Sequence, residues 1–158
     1  MDIPLIEQVK IQAQVLVPLV KALQAELGKE RANAIVRQAL GDLYRNVGEK
    51  WWCRQGARNL GEKVASAFDG FAAGGALDYE VLQQEPDAFD VNVTGCRYAQ
   101  FYHELGVPEL GFLLICSSDF AMVEGFGGDV QLTRTQTIMQ GAHHCDFRYA
   151  LKKRDEDT

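Results

Sequence analysis

The 158-residue sequence has 16 Lys and Arg against 22 Asp and Glu, a net charge of −6 and 47% hydrophobic residues. A chain of this length buries roughly two-thirds of its unfolded surface, which excludes a stapled mini-protein and a mainly disordered chain. It contains no run of about 18 apolar residues, and its first residues do not resemble a signal peptide. We therefore expect a cytoplasmic protein without a membrane partner.

The negative charge is concentrated in the second half. Residues 1–76 hold ten basic and eight acidic side chains, residues 77–151 hold three and eleven, and residues 152–158 hold three of each. Phosphate binding needs clustered Lys and Arg, so this distribution argues against a nucleic-acid partner. We expect one domain over 1–158, with a helical half (1–76), an α+β half that carries the site (77–151) and a charged tail (152–158).

The first half predicts three helices, because apolar residues recur at helical spacing. The first is expected to begin at Asp2 as N-cap and to end at Gly28, and the second to end at Gly48. The third is expected to start at Trp52 and to end at the Gly74-Gly75 pair.

The second half alternates between strand and helix patterns. It predicts strands over 77–81 and 89–93, helices over 96–105 and 108–123, and a second pair of strands over 130–139 and 143–151. The expected fold is α+β, with the N-terminal helices packed on an antiparallel sheet in the order ααα-ββ-αα-ββ.

Cysteine is the most informative residue type for chemistry. The four cysteines form no CxxC pair, so we expect reduced thiols and no zinc knuckle. Cys96 is predicted in the first turn of a helix capped by Thr94, where the helix dipole lowers the pKa of a thiol and favours a nucleophile. Packing of a small buried residue is the alternative.

Cys116 and Asp119 are three residues apart and would share one face of a helix. They would then approach one pocket together. In the alternative, Asp119 caps the next helical turn and Cys116 packs.

The run His143-His144-Cys145-Asp146 is predicted on a strand, with His143 and Cys145 on one face and His144 and Asp146 on the other. A metal site needs three or four converging side chains, which the cysteines and one histidine would supply only if the fold gathers them. We expect no cofactor and leave open a metal held by Cys and His. Surface histidines beside a buried Cys145 are the alternative.

Five short strings in the second half share order and spacing with one protein family. They are CRYA (96–99), ELGVPELG (104–111), CSSD (116–119), LTRT (132–135) and GAHHCDFRY (141–149). Over residues 92–149 the chain resembles the L-2-amino-thiazoline-4-carboxylic acid hydrolase family. That resemblance implies hydrolytic opening of a 2-aminothiazoline ring to a carbamoyl-cysteine, on a bacterial route to L-cysteine. The positions that match the family are Cys96, Cys116, Asp119, Arg134, Thr135, Cys145 and Asp146.

The implied reaction assigns roles to these residues. Attack on the amidine-like carbon would come from Cys96 or Cys145, or from an activated water. Asp119 and Asp146 would bind the cationic amidine or move protons, and Arg134 would bind the substrate carboxylate. The acidic second half suits a substrate with a positive amidinium.

A second group is expected to contact the substrate without reacting: Cys116, Thr135 and His144. The histidine pair is less clearly part of the family pattern, so its role is a separate hypothesis.

Two other function classes stay open. One is a ligand- or metal-binding module that uses the same thiols, like the small α+β sensory domains related to vinyl reductases. The other is a non-catalytic partner protein that binds through the Trp51-Trp52 region. A homo-oligomer is compatible with all three.

Overall fold

The computed structural model describes residues 2–153, so most of the predicted charged tail (154–158) lies outside the described residues. The helices are α1 (Leu5–Leu27), α2 (Lys29–Arg54), α3 (Leu60–Ala72), α4 (Arg97–Glu104), α5 (Pro108–Gly111) and α6 (Ser118–Glu124). The strands are β1 (Leu77–Glu85), β2 (Ala88–Cys96), β3 (Val130–Thr133) and β4 (Cys145–Leu151). No helix between residues 2 and 153 has a stretch long and apolar enough to cross a bilayer.

The predicted α+β class and element order are confirmed, but several boundaries differ. α1 begins at Leu5 after Pro4, not at Asp2. α2 continues through Gly48 and includes Trp52, so the third helix begins only at Leu60. That start is fixed by a capping box, in which the Asn59 side chain accepts from the Glu62 N–H and the Glu62 carboxylate accepts from the Asn59 N–H.

The four strands form one antiparallel sheet in the order β1-β2-β4-β3. One face is buried, because alternate residues of β2 point toward the helices. β4 follows the same alternation: Cys145 pairs with Val93 and Tyr149 pairs with Phe89, and all four are buried. The inner face of β4 therefore carries Cys145 and Tyr149.

The core consists of two clusters of buried side chains. One joins α1, α2, α4 and α5, and the other joins α3, α6 and the inner face of the sheet. Leu77, Cys96 and Ile138 are partly buried and pack against both clusters. This junction is where the candidate site lies.

The helical half contacts the second half most closely where α2 crosses α6. A Cβ atom on Gly48 would lie 2.2 Å from the Met122 carbonyl oxygen, and one on Gly125 would lie 2.1 Å from the Arg45 carbonyl oxygen. Gly48 is therefore a contact point between two backbones and does not end its helix. The position of α6 depends on this absence of side chains.

The predicted second pair of strands is present and antiparallel, but its first strand is shorter than the predicted 130–139. β3 ends at Thr133, and an irregular segment leads to β4 at Cys145. The backbone N–H groups of Thr135 and Gln136 donate to the Asp146 carboxylate at 2.8 and 3.0 Å. Since these donors bind a side chain, they are not available to a neighbouring strand.

Substitution of Gly48 by alanine is expected to destabilise the fold. The new methyl group would push α6 from α2, and overpacking of this kind typically costs about 1–3 kcal/mol. Gly41→Ala is the matched control, because Gly41 lies in the same helix with nothing within 4 Å of its Cβ position. That change should raise stability by up to about 1 kcal/mol, since alanine is the better helix former. Urea unfolding of both variants checks this, and equal stabilities would contradict the role given to Gly48.

Candidate functional site

The centre of the site is an ion pair between Asp119 and Arg134. Asp119 lies in the first turn of α6, and Arg134 follows the last residue of β3. Arg134 Nη1 lies 2.7 Å from Asp119 Oδ2 and 3.0 Å from the Cys116 carbonyl oxygen, and it donates to both. The Arg134 side chain is only 3% exposed and that of Asp119 is 26% exposed. A charge buried to this degree is stable only when it is paired, so each side chain requires the other.

Aromatic rings surround the Arg134 guanidinium. Its Cζ lies 4.8 Å from the ring centroid of Phe120, 5.5 Å from that of Phe147 and 5.9 Å from that of Phe112. Ring faces attract a cation, and the attraction grows as water is removed. The pair thus lies in an apolar, aromatic shell.

A π turn over Phe112–Cys116 sets the position of Cys116 and Asp119. The predicted continuous helix over 108–123 is interrupted here, because Ser117 N bonds the Phe112 carbonyl oxygen, five residues earlier, at 2.9 Å. The Ser117 and Ser118 hydroxyls donate to the carbonyls of Phe112 and Ile115. Single π turns are common at functional sites. Here the turn brings the Cys116 carbonyl and the Asp119 carboxylate to the same guanidinium nitrogen.

Burial sets the protonation of Asp119. It raises the pKa of this carboxyl from 3.8 to about 6, against the opposing effect of Arg134 and its hydrogen bond. A carboxyl with such a pKa is largely ionised at pH 7 and still takes up a proton readily. Asp119 can therefore act as a base and then as an acid.

Cys96 differs from its prediction. It is itself the N-cap of α4, with Sγ accepting from Ala99 N at 3.4 Å, while Thr94 lies within β2. The expected low pKa is wrong: burial raises the pKa of the Cys96 thiol by more than the backbone N–H groups and Arg97 lower it.

The other two inner thiols are also neutral. Burial raises the pKa of Cys145 to about 11, although its Sγ accepts from Ile138 N at 3.2 Å. The pKa of Cys116 is raised further, by burial and then by the charge of Asp119. Charge effects couple Cys116 and Cys145 to each other, to Cys96 and to Asp119. These four residues are therefore near enough for a charge on one to change the pKa of another, and we refer to them as the cluster around Asp119.

Asp146 and Thr135 lie outside this cluster. Asp146 follows Cys145 on β4 and points to the opposite face of the sheet. Its carboxylate accepts from the N–H and hydroxyl of Thr135 and from Gln136 N. Partial burial alone would raise the pKa of Asp146, but these hydrogen bonds lower it. Asp146 therefore holds the segment that begins with Arg134.

The predicted faces of the histidine pair are wrong, because β4 begins only at Cys145 and both histidines precede it. The two rings contact each other at a centroid distance of 6.0 Å. Neither ring forms a hydrogen bond within residues 2–153, and Gln136 Nε2 donates to the His144 backbone carbonyl. No three His, Cys, Asp or Glu side chains in that range converge in a way that could hold a metal ion.

The acidity of the second half is a surface property. Of the eleven acidic residues in 77–151, eight are exposed, and Asp90 and Asp146 are half-buried on the outer face of the sheet. Among the eleven acidic residues of 77–151, Asp119 is the one that lies with Cys96, Cys116 and Cys145 in the cluster.

The tryptophan pair packs against Phe126 and stays partly exposed. The Trp52 ring stacks on Phe126 at a centroid distance of 4.5 Å, and Trp51 lies 5.7 Å from the same ring. Lys63, which belongs to α3, places its Nζ 4.1 Å from the Trp52 ring centroid. Both indole rings remain half-buried.

Three tyrosines lie near Asp119, and no sequence pattern predicted that they belong to the site. Burial raises the pKa of Tyr44, Tyr98 and Tyr149, and the charge of Asp119 raises each of them further. Tyr44 belongs to α2 in the helical half, 75 positions before Asp119, so only the tertiary fold connects the two.

A small cavity lies between α3, α6 and β4, next to the ion pair. Its lining combines Asp119 and Tyr149 with apolar side chains: Val64, Ala67, Phe71, Met122, Val123 and Phe126. A larger, more open groove of about 350 Å³ lies where Phe120 and Val123 meet β3 and Lys152. The groove does not contain the thiols or Asp119.

No curated protein matches the sequence. The family model for L-2-amino-thiazoline-4-carboxylic acid hydrolase matches residues 8–149, which includes the helical half as well as the cluster around Asp119. The chain therefore belongs to the L-2-amino-thiazoline-4-carboxylic acid hydrolase family.

Proposed function

We propose that this protein hydrolyses a small cyclic amidine that carries a carboxylate, of the 2-aminothiazoline-4-carboxylate type, with a water activated by Asp119. The observation that carries the proposal is a buried carboxyl, paired with Arg134, whose pKa of about 6 suits a general base near neutral pH. Family membership supports the reaction class.

Activated water is favoured over a thiol as the attacking group. A cysteine nucleophile reacts as the thiolate, and burial keeps the thiols of Cys96, Cys116 and Cys145 protonated. Neither Cys96 nor Cys145 has an imidazole or amine hydrogen-bonded to its sulfur in the described residues, since the donors there are backbone N–H groups. Of the two predicted nucleophiles, Cys96 then packs at the junction of the two core clusters and Cys145 packs within the second cluster.

The proposed reaction has three proton transfers. The water oxygen bonds to the carbon between the ring nitrogen and sulfur while Asp119 takes a proton from the water. The bond from this carbon to a ring heteroatom then breaks, and protonated Asp119 returns the proton to the leaving atom. The second hydrogen of the water passes from the adduct's hydroxyl to the ring nitrogen as the C=O bond forms. One water is consumed and a carbamoyl amino acid is released, with no redox change.

Arg134 has donors left for the substrate. Both of its hydrogen bonds to protein use Nη1, and Nε and Nη2 donate to no residue within 2–153. These are the donors that a guanidinium offers to a carboxylate. In this proposal Arg134 orients Asp119 with one nitrogen and the substrate carboxylate with the others.

Asp119→Asn should lower kcat/KM by about 10²–10⁴-fold, the usual contribution of a general base. The amide retains an oxygen that accepts from Arg134, and circular dichroism with thermal unfolding establishes that the variant folds. Glu124→Gln is the matched control, because Glu124 lies on the same helix and pairs with Arg45 at the surface. Product formation from 2-aminothiazoline-4-carboxylate is the measurement, and activity of Asp119→Asn within threefold of wild type would reject Asp119 as the base.

The pH dependence separates the two attacking groups. Asp119 must be ionised to accept a proton, so kcat/KM should fall as the pH drops through about 6 and stay level above pH 7. A thiolate attack would instead make kcat/KM climb toward pH 11, near the pKa of Cys145. Initial rates across pH 5–10 at constant ionic strength decide between these profiles, within the range where the protein stays folded.

Cys96→Ser and Cys145→Ser should each keep kcat/KM within about threefold of wild type. Serine preserves the acceptor for Ala99 N or Ile138 N and is a good N-cap at position 96, while it removes the thiol. The same substrate assay measures both variants. Loss of turnover by 10²-fold or more in a folded variant would restore the thiol mechanism.

A further inference from the structure

Tyr149 is a buried phenol whose hydroxyl has no protein partner. The residue is 5% exposed, and its Oη forms no hydrogen bond with any residue in 2–153. Tyr98, which is equally buried, donates instead to the Phe71 carbonyl oxygen at 2.8 Å. A buried hydroxyl without a partner is costly, so its place in the fold requires an explanation.

The Tyr149 hydroxyl is not sealed inside the core. Every fully buried side-chain nitrogen or oxygen in the described part of the chain has a hydrogen-bond partner. Tyr149 Oη has none, so it must contact open space. Tyr149 lines one cavity, together with Asp119, and we infer that its hydroxyl faces this cavity.

The cavity suits a single water molecule. It is about the size that one water needs, and the residues that line it are apolar except for Asp119 and Tyr149. A buried water needs two to four polar partners, and these two side chains provide the minimum. The substrate would provide the remaining contact during the reaction.

We propose that Tyr149 is a positioning residue, which holds the attacking water against Asp119 in this cavity. The water donates one hydrogen to the Asp119 carboxylate and the other to Tyr149 Oη, so that a lone pair of its oxygen points to the substrate carbon. The proton that leaves the water goes to Asp119, and no bond of the phenol is made or broken. This inference rests on the proposed role of Asp119 as the base.

Tyr149→Phe tests the inference, because it removes only the hydroxyl and keeps the ring that packs against Phe68 and Phe147. Turnover should fall by roughly 10–100-fold, as expected for a misplaced nucleophile. KM should be unchanged, since no substrate contact is lost. Tyr79→Phe is the matched control: the Tyr79 hydroxyl donates to Asp69 at 3.2 Å and does not line the cavity, so kcat should stay within twofold of wild type.

A high-resolution crystal structure supplies a readout that does not depend on the reaction. Wild type should show one ordered water within hydrogen-bond distance of both Asp119 and Tyr149 Oη, and Tyr149→Phe should lose or displace it. If Asp119→Asn is inactive but Tyr149→Phe retains wild-type kcat, the inference is wrong and the proposed function stands. If wild type hydrolyses no cyclic amidine, the proposed function is wrong. The crystal structure then decides separately whether Asp119 and Tyr149 hold a water between them.

Discussion

The ion pair between Asp119 and Arg134 is the interaction on which the arrangement of the site depends. Two opposite charges are held 2.7 Å apart in a shell of phenylalanine rings, with the guanidinium almost completely removed from water. Removing either partner from such a pair typically costs about 3–5 kcal/mol, because the other charge stays buried without compensation. The elements that carry the two residues, α6 and the end of β3, are therefore tied together at one point.

The same burial decides which groups can react. An apolar environment disfavours charge, so it raises the pKa of carboxyls and thiols alike. For Asp119, which begins at 3.8, the result is about 6, within the range of a useful base. For Cys145, which begins at 9.0, the result is about 11, too high for a reactive thiolate at neutral pH. One physical effect thus favours the carboxyl and disfavours the sulfur.

Much of the fold could be predicted from the sequence, because local rules control it. Apolar periodicity gave three helices before the first strand, and alternation gave β1, β2 and β4. The errors lie where a distant contact overrides a local preference. Locally, Gly48 predicts the end of a helix, but in the fold it is where Met122 of α6 packs against α2. The alternation over 134–139 predicts a strand, but the N–H groups of Thr135 and Gln136 bind the Asp146 carboxylate instead.

The candidate site was predictable only in part. Residue types and spacing indicated Cys116, Asp119 and Arg134, which do converge on one another. They also indicated Asp146 and Cys96, whose chemistry depends on burial and on the side of the sheet they occupy. Burial is a property of the assembled core, so no local pattern reveals it. Tyr44 could not have been found from the sequence, because α2 reaches Asp119 only in three dimensions.

The π turn over Phe112–Cys116 has a consequence for how this site tolerates change in chain length. A π turn holds one residue more than an α-helical turn of the same rise, and each residue of an α-helix rotates the following chain by about 100°. Deleting one residue from this turn would leave an α-helical turn of the same rise, so α6 would keep its direction and Asp119 would stay opposite Arg134. The same deletion in a regular helix would rotate the following residues by about 100°. The π turn is therefore a place in the 108–124 segment where one residue can be lost while Asp119 stays directed at Arg134.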